Sequence, residues 1–392
     1  MSKETKVTGQ LERPLIALAG GGTSGHINPL LAIYEELHRR RPDLDFVYFG
    51  TDWGLEARLV PRAGIAFEVV PGYPFLANPR EFLKALHCFS AARRRCARYF
   101  RQRRPLLCIA SGGYVSAPML TVAQRLGIPR VIHEQNVAPG KNNRLMSQGA
   151  DLVCVSFEET LTRFPKARRV VKTGNPVQDV FFRTEREASR RALGLEEDCF
   201  FVLATGGSLG ARSINQAILD WAALRKTERE GRSQLCLPDG RELRLVLAAG
   251  DLLEESLERR SSLGLEGVAG LSIEGYLYDM VKYMSAADLI VSRAGAGAGT
   301  ELAALGKPCI LVPYPHAAGD HQRHNAMAFV HAGAGLCVLD QDCRAELLEQ
   351  EITALAADQE RLEAMGRAAR SLAEPDAAQR IVDEVLRVLE AQ

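Results

Sequence analysis

The chain has no C-x-x-C pair. Its nine cysteines (Cys88, Cys96, Cys108, Cys154, Cys199, Cys236, Cys309, Cys337 and Cys343) are odd in number and scattered. That pattern argues against a disulfide framework and a cysteine zinc site, and fits reduced thiols in a cytosol. Net charge is almost absent: 49 Lys and Arg stand against 48 Asp and Glu, leaving +1 at pH 7. No global pull toward nucleic acid follows, so charge has to be read locally. No apolar run reaches the ~18 residues of a membrane span. Residues 1–14 (MSKETKVTGQLERP) lack the apolar core of a signal peptide. No G-x-x-x-x-G-K-[ST] loop occurs, which argues against nucleoside-triphosphate hydrolysis.

What is present is one design written twice. Leu15-Ile16-Ala17-Leu18-Ala19 runs into Gly20-Gly21-Gly22-Thr23-Ser24-Gly25-His26 and an apolar-periodic stretch through Leu37. Phe200-Phe201-Val202-Leu203-Ala204 runs into Thr205-Gly206-Gly207-Ser208-Leu209-Gly210-Ala211-Arg212, then Ile214 to Trp221. Each reads as buried strand, glycine-rich loop and helix. Each points bare backbone N–H groups and a helix dipole, roughly +0.5 charge, at one spot. A third pair, Gly112-Gly113, follows the strand Leu106 to Ala110. In a doubly wound sheet all three open at the carboxyl edge, where ligands bind.

Short apolar strands alternate with helical stretches along most of the 392 residues, which predicts an α/β chain with two parallel, doubly wound sheets. Thr173-Gly174-Asn175-Pro176 is the expected hinge, followed by a charged helix over Arg183 to Leu193. The expected division is an N-terminal domain over 1–174 and a C-terminal domain over 175–372. A final helix within 373–392 is expected to pack back on the first domain. Arg225 to Arg244 reads as a polar, irregular surface excursion.

Several polar residues stand where a ligand would sit. His26 follows the first loop at a helix start, where the dipole's positive end would lower its pKa and suit it to a general base. The alternative is a capping or packing histidine. His133-Glu134-Gln135-Asn136 ends another strand as a site wall or a solvated loop. Ala294 to Gly299 lets backbone approach a ligand closely, and Glu301 could accept two hydrogen bonds from a ribose diol. Its alternative is a first-turn glutamate that complements the dipole. His316, His321 and His324 cluster beyond the next strand. They lack an H-x-x-x-H pair or a sufficient carboxylate set for a metal, and read as sugar and phosphate contacts. Asp43-Leu44-Asp45 mimics a metal-binding D-x-D, but lies at the amino edge of the sheet and reads as a turn.

Between Pro79 and Cys108 nine basic residues face one acidic residue, Glu81. Phe82, Leu83, Leu86, Phe89, Ala92, Cys96, Tyr99 and Phe100 recur at helical spacings. Such a basic amphipathic helix, with Lys84, Arg93, Arg94, Arg95 and Arg98, can rest on an anionic membrane. A core-packed helix with a solvated basic face is the alternative. No base-stacking platform supports nucleic acid as a partner.

These residues resemble the MurG family of UDP-N-acetylglucosamine transferases. The motifs that carry the resemblance are GGGTSGHINPLLAI, YFGT, SGGYVSAP, GIPRVIHEQN, TGNPV, GGSLGARSINQ, GYLYDM, ADLIVSRAGAGAGTELAALGKP and DHQRHNA. They occur in the family's order and cover most of the chain from Pro14 onward.

The resemblance implies a GT-B fold, two Rossmann-like domains facing across a cleft. It implies transfer of GlcNAc from UDP-GlcNAc to an undecaprenyl-diphosphate-linked MurNAc-peptide at the cytoplasmic face of the bacterial plasma membrane, with a peripheral attachment. Inversion at the anomeric carbon, with no cofactor and no readable metal site, comes with it. Ser208 and the backbone of Ala296, Gly297, Ala298, Gly299 and Thr300 would hold the diphosphate, and Glu301 the ribose. Leu277 would contact the uracil, and His321 and Gln322 the GlcNAc. Thr23, Ser24, Gly25 and Asn136 would line the first domain, with His26 and Glu134 near the acceptor hydroxyl. Gln178 stands where many members carry Arg, and the Ala294–Gly299 run replaces larger side chains. Another UDP-sugar enzyme of this fold, such as a lipid glycosyltransferase or a UDP-GlcNAc 2-epimerase, is the alternative. A dinucleotide oxidoreductase and a noncatalytic sugar-nucleotide module are more distant readings.

Overall fold

The computed structural model describes residues 13–74, 78–229 and 231–391. Residues 1–12, most of the polar lead, lie outside that range. The first half holds β1 (Leu15–Gly20), β2 (Asp45–Gly50), β3 (Ala66–Val69), β4 (Leu107–Gly112), β5 (Arg130–Glu134), β6 (Leu152–Val155) and β7 (Val170–Lys172). These form a parallel sheet of order β3-β2-β1-β4-β5-β6-β7. The helices between them are α1 (Ser24–Arg40), α2 (Glu56–Arg62), α3 (Pro79–Gln102), α4 (Ser116–Arg125) and α5 (Lys141–Met146). β1 and β4 are buried along their whole length, because helices cover both faces of the sheet.

The second half repeats the plan. β8 (Phe200–Thr205), β11 (Leu243–Ala248), β12 (Leu271–Glu274), β13 (Leu289–Ser292), β14 (Cys309–Leu311) and β15 (Gly335–Cys337) form a parallel sheet of order β12-β11-β8-β13-β14-β15. Its helices are α6 (Val180–Arg183), α7 (Arg186–Ala192), α8 (Arg212–Arg225), α9 (Leu253–Ser262), α10 (Met280–Ala286), α11 (Ala296–Leu305), α12 (His321–His331), α13 (Ala345–Ala356) and α14 (Gln359–Ser371). In both sheets the order reverses beside the strand that feeds a glycine loop, β1 and β8. That switch point opens a crevice at the carboxyl ends.

Each sheet has a buried apolar cluster on either face. The last helix, α15 (Ala377–Glu390), buries Ile381, Val382 and Val385 in the cluster that holds Ile16, Leu18 and Ile33. Arg380 Nε donates to the Thr173 carbonyl at 2.9 Å, so this returning helix grips the segment that joins the two sheets.

Some sequence expectations change. The stretch Arg225 to Arg244 is not irregular. Lys226–Arg229 (β9) pairs antiparallel with Arg232–Leu235 (β10), and Leu235 and Leu237 bury themselves in the core beside Trp221. The charged helix over Arg183 to Leu193 is broken, because Thr184 and Glu185 both take extended backbone between α6 and α7. On α3 only Ala85, Ala92, Cys96 and Phe100 turn fully inward, while Phe82, Leu83 and Leu86 are exposed at its start. Of the expected turn, Asp43 lies in one and pairs with Arg41, whereas Asp45 opens β2 and pairs with Arg13 and Arg103. All nine cysteines are free. Among the described residues no helix is long and apolar enough to cross a membrane.

Candidate active site

The two sheets present their carboxyl edges to one cleft of about 1110 Å³. Its first wall is the β1–α1 loop. Beneath the loop, the buried Glu56 carboxylate accepts from Gly22 N at 3.4 Å, and from Thr51 N and Oγ1 at 3.1 and 2.8 Å. The β4 turn locks against it from the side. Gly113 has φ +79°, and a Cβ there would stand 2.2 Å from the Gly21 carbonyl oxygen. A Cβ on Gly112 would stand 3.0 Å from the His26 ring. Glycine is therefore required where the two loops and the histidine meet.

His26 lies in the first turn of α1, and its Nδ1 is 3.1 Å from the Ser111 carbonyl. A carbonyl can only accept, so the neutral ring carries its proton on Nδ1 and its lone pair on Nε2. Burial holds the imidazole below its ordinary pKa, opposed by the Glu134 charge, the Ser111 carbonyl and Gln135. The direction is the expected one, but its leading cause is desolvation rather than the helix dipole.

Glu134 is 1% exposed and does not line the cleft. Its Oε1 accepts from Asn136 N and Nδ2 (3.0 and 3.2 Å), and its Oε2 from Gly140 N and Asn143 Nδ2 (3.0 and 2.9 Å). Four donors thus occupy both carboxylate oxygens, and the group is turned away from the cleft. It shapes the loop that brings Gln135 and Asn136 to the cleft.

The opposite wall comes from the second sheet. The β8–α8 loop brings Ser208, and α11 starts at the cleft with Ala296, Gly297 and Ala298. A Cβ on Gly297 would lie 3.9 Å from Gly25 Cα, so the N-termini of α1 and α11 face each other across the gap. Both helix starts, with their positive dipole ends and bare N–H groups, line the cleft. Thr23, Ser24, Gly25, Gln178, Leu277, His321 and Gln322 also line it. Gly299 and Thr300 do not: Gly299 faces Phe329, and Thr300 Oγ1 accepts from Asn175 Nδ2 at 2.8 Å. Both lie on the side of α11 turned from the cleft.

Glu301 sits one turn along α11. Asn28 Nδ2 donates to its Oε1 at 3.0 Å from the other sheet, and burial pushes its carboxyl up to about 7. Gln178 donates to Glu35 on α1, a second bond between the halves. Asn28 and Glu35 were not evident from sequence. The one signal for Asn28 was a polar residue in an apolar run two positions after His26. Arg293 also lines the cleft, but its guanidinium bonds Asp340, Ser213 Oγ and the Val312 and Pro313 carbonyls, and so braces the wall. His316 and His321 reach the cleft and His324 does not. Among the described residues no group of three or more His, Cys, Asp or Glu could hold a metal ion.

On α3, Arg95 pairs with Glu68, Lys84 stacks over Tyr73 at 3.9 Å and Arg93 lies over Phe89. Arg94 and Arg98 are exposed.

The Glycosyltransferase family 28 N-terminal domain matches residues 16–155, and the Glycosyltransferase family 28 C-terminal domain matches residues 201–381. A protein of Acetivibrio thermocellus named UDP-N-acetylglucosamine--N-acetylmuramyl-(pentapeptide) pyrophosphoryl-undecaprenol N-acetylglucosamine transferase is 35% identical over 369 residues, covering 94% of this chain and 96% of its own. A protein of Desulfitobacterium hafniense with the same name is 38% identical over 380 residues, covering 95% and 98%. The crystal structure of the Acinetobacter baumannii MurG is similar with a TM-score of 0.64 at 27% identity, covering 96% of this chain and 99% of that one. The two glycine loops, the facing sheets and this full-length likeness agree, and the chain belongs to the MurG family.

Proposed function

We propose that the chain transfers GlcNAc from UDP-GlcNAc to the C4 hydroxyl of an undecaprenyl-diphosphate-linked MurNAc-peptide, with inversion at the anomeric carbon. The observation that carries this reading is the placement of His26 opposite the α11 N-terminus in one cleft. One wall offers a base with a free lone pair. The other offers fixed dipoles for a leaving diphosphate.

In this reading Ser208 and the backbone of Ala296, Gly297 and Ala298 hold the diphosphate, and Glu301 accepts from the ribose hydroxyls. The Leu277 main chain meets the uracil, while His321 and Gln322 meet the GlcNAc. His26 Nε2 takes the proton of the acceptor hydroxyl. The oxygen attacks the anomeric carbon from the face opposite UDP. The carbon–oxygen bond to the diphosphate breaks, and its electron pair leaves on UDP. Helix N-termini already aimed at that charge lower the barrier by electrostatic preorganisation.

The acceptor is delivered by a membrane. The exposed Phe82, Leu83 and Leu86 at the start of α3, with Lys84 among them and Arg94 and Arg98 further along the helix, support peripheral attachment to the cytoplasmic face of the plasma membrane. Isolation of the disaccharide product and its anomeric proton coupling test the reaction. A β-linked GlcNAc on C4 is expected. An α-linkage, or free epimerised donor, would overturn the reading.

A further inference from the structure

One carbonyl organises the His26 pocket. Ser111 O accepts from His26 Nδ1 (3.1 Å), Gln135 Nε2 (2.9 Å) and Asn143 Nδ2 (3.3 Å). Each of these groups must turn a donor toward it. For Gln135 this settles the amide: the NH2 faces Ser111, and Oε1 is forced to the other side. That Oε1 is shut off from solvent and has no hydrogen-bond partner among the described residues. Gln135 is 3% exposed, yet it lines the cleft with His26. A native fold seldom leaves a buried carbonyl unpaired without a reason. The Gln135 side chain, as an acceptor toward the ring, is also among the influences that favour the charged form of His26.

We propose that Gln135 is a positioning residue for the transfer: its NH2 locks the Ser111–His26 pair, and its Oε1 is held ready to accept from the imidazolium that forms when His26 takes the hydroxyl proton. The inference rests on His26 as the base. The hydroxyl O–H breaks, the oxygen bonds the anomeric carbon, UDP departs with the electron pair, and the proton stays on His26 until solvent removes it. A bond made only to the charged ring stabilises the transition state more than the resting state, which is what raises kcat.

The other groups around the ring constrain the test. Glu134, beside Gln135 on β5, favours the charged ring. His133 on β5 is held neutral by burial, its pKa pushed down to about 4, and its Nε2 lies 3.2 Å from the Gly174 carbonyl. Ser111 on β4, Asn143 on α5 and Asn28 on α1 are uncharged. Across the cleft, Glu301 reaches α1 through Asn28.

Gln135→Met keeps the volume and removes both amide functions. The test is the pH profile of kcat with the 13C NMR titration of His26, assigned by its absence in His26→Gln. His26 is expected to titrate at lower pH in Gln135→Met. The acid limb of kcat follows it downward, because less acid is needed to hold the base neutral. Plateau kcat falls about 10- to 100-fold, the worth of a hydrogen bond to a charged group. KM for UDP-GlcNAc stays within about twofold, since Gln135 has no role in donor binding in this scheme. Gln135→Asn withdraws the acceptor by one methylene and carries the same expectations if the Met variant does not fold. A lower Tm with an unmoved titration, or an unmoved acid limb, overturns the proposal. If His26→Gln keeps wild-type turnover, the base reading fails instead, whatever Gln135 does.

Discussion

Asn28 Nδ2 stands 3.0 Å from Glu301 Oε1, and with this bond the first helix of one sheet holds the carboxylate of the other that is proposed to bind the ribose. The two residues are 273 positions apart. The two walls of the cleft are thus joined at one carboxylate, near the loop that carries His26.

If Glu301 holds the ribose as proposed, donor binding is expected to depend on pH. Burial raises the Glu301 carboxyl from 4.5 to about 7, and the Asn28 bond opposes the rise. A raised acid contributes stability that is full below 4.5 and is lost as pH rises through about 7. Donor binding runs the other way, because the ionised form accepts best from two hydroxyls. KM for UDP-GlcNAc is expected to fall as pH rises through about 7. In Asn28→Ala the midpoint should move up. In Glu301→Gln this dependence should vanish, and a persisting midpoint near 7 would assign it to another group.

Gln178→Arg is expected to tighten the donor. Gln178 lines the cleft and bonds Glu35, and an arginine would keep that partner as an ion pair while adding a cation near the diphosphate. A charge-assisted contact predicts a three- to tenfold lower KM for UDP-GlcNAc, a gain of about 1 kcal/mol. Donor titration by calorimetry at two salt concentrations checks it. An unchanged affinity would mean that the Glu35 pair absorbs the new charge.

Much of this site was legible in the sequence because its parts are local. An apolar run ending in Gly20-Gly21-Gly22 specifies a strand and a loop that a helix must follow, and His26 is carried along at a fixed place. Glu134 reads from the sequence as a wall residue, but it is buried behind the cleft. Its donors come from Asn136, Gly140 and Asn143, and only the folded α5 segment brings the last two to it. Asn28 and Glu35 gain their partners from the other sheet, and no local pattern encodes such a pairing. The β9–β10 hairpin was hidden by its polar composition. Its anchors are Leu235 and Leu237, whose burial depends on where Trp221 lies.

Gly113→Ala is expected to loosen the whole first wall. The added Cβ would meet backbone atoms of Gly21, which cannot swing aside as a side chain can, and φ of +79° is itself unfavourable for alanine. A loss of about 2 kcal/mol or more is expected, read as a lower denaturant midpoint with kcat reduced beyond it. Wild-type stability would show that the two loops are not interlocked.

Charge reversal on α3 tests the membrane reading, and the structure selects the residues. Arg95 is engaged with Glu68, whereas Arg94 and Arg98 are exposed. With each cation contributing about 1 kcal/mol, Arg94→Glu with Arg98→Glu should weaken binding to phosphatidylglycerol vesicles at least about thirtyfold. Donor KM should stay unchanged. Equal binding by the variant and the wild type would remove α3 from the account.

Donor and acceptor are expected to meet in one cleft, with sugar transfer requiring both. The most direct test is UDP release from UDP-GlcNAc, with and without a soluble lipid-diphosphate-MurNAc analogue, with UDP-GalNAc and UDP-glucose as competing donors. Release is expected to depend on the acceptor, to prefer UDP-GlcNAc and to be lost in His26→Ala while UDP still binds. Equal release without the acceptor, or full turnover in His26→Ala, would contradict this reading.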